Sequence, residues 1–188
     1  MANALTIGRI LMTAPFVALF LMNAPWGISA ALFLFLVAAA TDFLDGWVAR
    51  ARGETSALGA ALDPIADKLL VAAALILLLR NGVAAGPDAV AVILIILREI
   101  LVSGLREAVT AAGGSLKVTT LAKAKTLTQI AACALLMAAA PTGPIGPTAA
   151  PAARFALWLA AGVTVWTGGR YALAALKELR GVGAAAAR

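Results

Sequence analysis

The sequence predicts an all-α integral membrane protein with six transmembrane helices. Three observations carry this. The 188 residues are 63% hydrophobic and only 13% charged, with a mean hydropathy of +0.98, against about 25% charged in soluble domains. The apolar residues fall into six segments, each long enough to cross roughly 30 Å of hydrocarbon as a helix. Helices are required because lipid offers the backbone no hydrogen-bond partners.

The segments are expected at about 5–22, 28–50, 57–79, 89–112, 119–140 and 153–178. Asn23-Ala24-Pro25 closes the first. Asn81-Gly82 and Gly86-Pro87 separate the third from the fourth, and Gly113-Gly114 the fourth from the fifth. The break from Pro141 to Pro151 holds too many prolines and glycines to be helical throughout. Residues 1–180 are expected to form one catalytic domain, with 181–188 a low-complexity, flexible tail. The first apolar run starts almost at Met1 without a basic flank, so it reads as a helix and not a cleaved leader.

Basic residues set an orientation. Arg9, Arg50, Arg52, Lys117, Lys123, Lys125, Lys177, Arg180 and Arg188 fall on one side of the alternating segments, and only Arg80 and Arg154 on the other. The positive-inside rule places both termini in the cytoplasm, and the alanine-rich, arginine-over-lysine composition points to a bacterial plasma membrane. The net charge of +6 then reflects loops facing anionic headgroups, with no nucleic-acid partner. Lone Cys133 excludes an internal disulfide and reads as a small core residue. The absence of histidine excludes a phospho-histidine intermediate, an imidazole base and imidazole metal ligands.

Against this background Asp42, Asp45, Asp63 and Asp67 stand out. A carboxylate at the centre of a membrane helix costs roughly 2.5–3.5 kcal/mol on insertion scales. Asp42 and Asp45 are spaced i, i+3, and Asp63 and Asp67 i, i+4, so each pair shares a helix face. The short turn between the second and third segments is expected to pack them as a hairpin with the pairs facing. Four oxygen donors without imidazole or thiolate suit Mg²⁺ or Mn²⁺, and four carboxylates can hold two ions. Gly46 and Gly59 allow close approach. Pro64 either frees a carbonyl near the site or is an ordinary first-turn proline. Ion pairing with Lys68 or Arg50 would explain one or two aspartates, not four. Arg50 at the mouth can fork onto phosphate, or simply mark the cytoplasmic side.

Charges in the second half are few. The fourth segment has Arg98, Glu99, Ser103, Arg106 and Glu107, and the fifth Lys123, Lys125, Thr126 and Gln129. Glu99, Ser103 and Arg106 share one face. Four cations outnumber the two glutamates, which suggests a second anionic group such as an acceptor phosphate; structural or snorkelling charges are the alternative.

The string D-x2-D-G-x2-A-R-x8-G-x3-D-x3-D resembles the signature of the CDP-alcohol phosphotransferase family at every defined position. The resemblance implies six membrane helices, a homodimer, two divalent metals, and displacement of CMP from a CDP-linked substrate by an alcohol. It would make Asp42, Asp45, Asp63 and Asp67 metal ligands, with Asp67 also the base. Thr6, Gly46, Arg50 and Ser56 would meet the CDP moiety. LDPIADKLLVAAALILL, ILREILVSGLREAVTAAG and LAKAKTLTQI look like members acting on CDP-diacylglycerol and sn-glycerol 3-phosphate. In these, residues such as Arg98, Arg106, Lys123 and Lys125 hold the acceptor. Other acceptors within the family are inositol phosphate, serine or a second lipid. A cation transporter with an acidic intramembrane site is the competing class; the Gly and Arg elements of the string and the lack of an internal repeat argue against it.

Overall fold

A computed structural model describes residues 2–22, 24–52, 57–116 and 120–186, with side chains for 8, 10–22, 24–41, 65, 66, 68–116 and 124–180. Among these residues the regular structure is wholly helical. The elements are α1 (Ala2–Leu21), α2 (Gly27–Arg52), α3 (Ala57–Arg80), α4 (Asp88–Ala111), α5 (Thr120–Ala138), a short 3-10 turn (Pro147–Ala149) and α6 (Ala150–Ala186). The six expected segments and the six helices coincide to within a few residues, save that α6 runs past Arg180 to Ala186.

The helix ends follow from local chemistry. At the end of α3, Gly82 adopts φ +71°. Its N–H donates to the Leu79 carbonyl, and that of Val83 to Leu78. Gly113, at φ +81°, ends α4 in the same way, with the N–H of Gly114 reaching Val109. Both are Schellman caps, which satisfy orphan carbonyls and need a residue that tolerates positive φ. Three prolines, Pro141, Pro144 and Pro147, hold α5 and α6 apart until Ala150.

α1 packs against both α2 and α3, and α6 against both α4 and α5; α5 also touches α2 and α3, and α3 touches α4. α2 and α3 thus share α1 and α5 as neighbours. The facing ends of α2 and α3, where the expected hairpin contact falls, lie outside the described side chains. The core runs through Phe16, Phe20 and Phe35, with Phe16 edge-on to Phe20 at 5.9 Å between ring centroids. It continues through Leu75, Leu78, Ile95, Leu136, Met137 and Leu157. Cys133 is buried in this core.

Large apolar side chains also cover the outside. Leu11, Phe33, Ile100, Leu127, Phe155, Trp166 and Leu173 are all more than half exposed. Among the described residues, one helix, Pro147–Arg180, is by itself long and apolar enough to cross a membrane; Ile10–Leu21, Gly27–Thr41 and Ala124–Ala138 are shorter apolar stretches. α4 fails that measure because Asp88, Arg98, Glu99, Arg106 and Glu107 interrupt it.

Candidate active site

The two acidic pairs lie on regular helix. Asp42 and Asp45 are in the last turns of α2, and Asp63 and Asp67 in the first turns of α3. Counted from the facing helix ends at Arg52 and Ala57, Asp45 and Asp63 are each roughly 10 Å along their axes, and Asp42 and Asp67 roughly 15 Å. The pairs therefore lie at similar distances from the segment that connects the two helices. The side chains of Asp42, Asp45, Asp63, Asp67, Gly46, Arg50, Thr6 and Lys123 lie outside the described ones, and Ser56 lies outside the described residues altogether. Pro64 is inside α3 and not in its first turn. It has no N–H to offer the Ala60 carbonyl four residues back, so a backbone acceptor is freed beside Asp63 and Asp67.

Lys68, next in chain to Asp67, has a described side chain. Its Nζ donates to Ser103 Oγ on α4, and Ser103 Oγ donates to the Glu99 carbonyl at 2.7 Å. The acidic helix α3 is thereby tied to the helix that carries the acceptor candidates.

Arg98 and Lys125 are brought together, with Glu99 between them. Glu99 Oε1 accepts from Lys125 Nζ at 2.6 Å, Arg98 Nη1 at 3.0 Å and Gln129 Nε2 at 3.1 Å. Arg98 Nη2 continues to Thr167 Oγ1 at 3.1 Å, and Gln129 Nε2 to Thr164 Oγ1 at 3.0 Å. Arg98, Lys125, Gln129, Thr164 and Thr167 are all buried. One carboxylate oxygen thus knots α4 and α5 together, and two threonines add α6. Polar groups this deep are tolerated when they satisfy one another. Arg106 does not join the knot. It lies two turns further along α4 and is exposed.

The sequence placed Glu99, Ser103 and Arg106 on one helix face and left the α6 threonines unassigned. The signal for them was present: Thr164 and Thr167 are spaced i, i+3 in an otherwise apolar stretch, and so share a face. A second polar cluster was also missed. Asp88, 5% exposed at the head of α4, accepts from Trp158 Nε1 at 3.0 Å and pairs with Arg154 Nε at 2.8 Å. It lies roughly 16 Å along α4 from Glu99, with no described link to the knot.

The sequence profile of CDP-alcohol phosphatidyltransferases matches residues 1–166. The chain belongs to the CDP-alcohol phosphatidyltransferase family. Among curated relatives it is 38% identical over 169 residues to a CDP-diacylglycerol–glycerol-3-phosphate 3-phosphatidyltransferase of Rickettsia bellii, covering 90% of this chain and 91% of that one. It is 46% identical over 136 residues to the enzyme of the same name from Cereibacter sphaeroides, covering 71% of this chain and 61% of that one. Among solved structures, the phosphatidylinositol phosphate synthase of Mycobacterium tuberculosis, in complex with manganese and citrate, superposes with a TM-score of 0.62. The two share 21% identity over 92% of this chain and 82% of that one, a likeness of fold.

Proposed function

We propose that the chain transfers the phosphatidyl group of CDP-diacylglycerol to sn-glycerol 3-phosphate, giving phosphatidylglycerophosphate and CMP. The observation that carries this is the complete Asp-Gly-Arg string on α2 and α3, in a chain whose relatives bear that enzyme's name over most of their length. Six helices would span a bacterial plasma membrane with both termini and the active site on the cytoplasmic side. The apolar exterior and the basic flanks support that arrangement. Residues 1–180 form the catalytic unit in this reading, and two copies form a homodimer.

The donor set suits hard cations, since carboxylates at helical spacing offer only oxygen. Asp42, Asp45, Asp63 and Asp67 would hold two divalent ions, Mg²⁺ or Mn²⁺, and the chemistry supplied there is neutralisation of the diphosphate and of the departing CMP. Arg50 forks onto the diphosphate, and Thr6, Gly46 and Ser56 bound the CDP moiety. Asp67 takes the proton of the acceptor hydroxyl. The alcohol oxygen attacks the lipid-bearing phosphorus in line, the phosphoanhydride bond breaks, and CMP leaves with the electron pair. Arg98, Arg106, Lys123 and Lys125 attract the acceptor's phosphate.

The test is release of CMP from CDP-diacylglycerol by the purified protein. Release should need both glycerol 3-phosphate and Mg²⁺ or Mn²⁺, and should stop with a chelator. Absence of release with any alcohol at any metal concentration overturns the reading.

A further inference from the structure

Glu99 is the acidic residue at the centre of the second-half charge cluster, and its contacts are lopsided. Three donors from two helices, Arg98, Lys125 and Gln129, converge on Oε1. Two of them are cations whose side chains are 9% and 11% exposed. Among the described residues a third cation, Lys68, stands near enough to Lys125 for their charges to repel. Two cations on one carboxylate leave the knot net positive among the described side chains. Without Glu99 the cations would repel one another and swing toward water, as long basic side chains do when unpaired.

A knot made only to hold three helices together has no need of such a surplus. Apolar side chains of similar volume hold a bundle as well as a buried ion pair does, or better. The Asp88 cluster at the other end of α4 shows the contrast. There one carboxylate meets one arginine and one indole, and the charges cancel.

We propose that Glu99 is a positioning residue for the acceptor: it gathers Lys125 and Arg98 on one oxygen and so presets the positive site that receives the acceptor's phosphate. This rests on the reading of those cations as phosphate-binding. Glu99 touches no reacting atom in this scheme. Its effect is on how much of Lys125 and Arg98 is already in place before the substrate arrives, which is preorganisation.

The experiment compares the wild type with Glu99→Gln, Glu99→Asp and Asp88→Asn, with both KM values, kcat and thermal unfolding measured for each in detergent. Glu99→Gln keeps an oxygen acceptor and removes the charge. It should raise the KM for glycerol 3-phosphate about tenfold or more while the KM for CDP-diacylglycerol stays within about twofold. Glu99→Asp should recover part of the loss, since it restores the charge on a shorter stem. Asp88→Asn should lower the unfolding temperature with the ratio of the two KM values unchanged. The proposal is overturned if Glu99→Gln behaves like Asp88→Asn, or raises both KM values equally. Wild-type protein inactive with glycerol 3-phosphate would instead overturn the proposed reaction.

Discussion

The Arg98 side chain lies against the backbone of α6 at Gly168: a Cβ added there would be 2.7 Å from Arg98 Cγ and 2.8 Å from its Nε. The contact is with the middle of the side chain, not its tip, so Arg98 cannot move aside and keep its bonds to Glu99 and Thr167. It also accounts for the buried Nε, which has no hydrogen-bond partner: glycine leaves that face of the guanidinium room only for backbone.

Gly168→Ala should therefore act on the knot. Overpacking of this kind costs about 1–3 kcal/mol, read as a lower unfolding temperature in detergent. The displaced Arg98 should also weaken acceptor binding, so the KM for glycerol 3-phosphate should rise more than that for CDP-diacylglycerol. Unchanged stability and kinetics would mean that Arg98 is free to choose another rotamer.

Asp67→Asn separates proton transfer from binding. The amide keeps one oxygen but cannot accept the hydroxyl proton. Turnover should fall by about 10²–10⁴, the usual worth of a general base, while binding of the CDP-linked substrate persists in a direct binding assay. Near-normal turnover would remove Asp67 as the base.

The helices were legible in the sequence because their ends are written in it. Gly82 and Gly113 supply the positive-φ caps, and the prolines after Ala140 end α5. The spacing of the acidic pairs was equally legible, since it needs only a helical backbone, and both pairs do lie within helices. What could not be read is long-range. Arg154 looks like a lone cation in sequence, yet its carboxylate partner, Asp88, is at the head of another helix. Arg98 and Glu99 are chain neighbours, which on a helix normally point apart. They meet because Lys125 and Gln129 fix the carboxylate from α5 while Gly168 leaves room for the Arg98 side chain against α6. Nor does any local pattern announce that α1 packs on both α2 and α3.

Lys123 and Arg106 flank the knot along α5 and α4, nearer the helix ends. Lys123→Ala and Arg106→Ala should each raise the KM for glycerol 3-phosphate more than that for CDP-diacylglycerol, by about tenfold, near the lower bound for a charge-assisted contact. Because Arg106 is exposed and outside the knot, its loss should leave the unfolding temperature almost unchanged. Equal effects on the two KM values would take it out of the acceptor site.

The most direct measurement is an acceptor panel with the product identified. Purified protein is given CDP-diacylglycerol and Mn²⁺ or Mg²⁺ with glycerol 3-phosphate, inositol phosphate, serine or a second phospholipid, and the lipid product is weighed by mass spectrometry. The account predicts phosphatidylglycerophosphate and stoichiometric CMP with glycerol 3-phosphate, at a kcat/KM well above that of every other alcohol. A different preferred acceptor, with glycerol 3-phosphate inert, would contradict it.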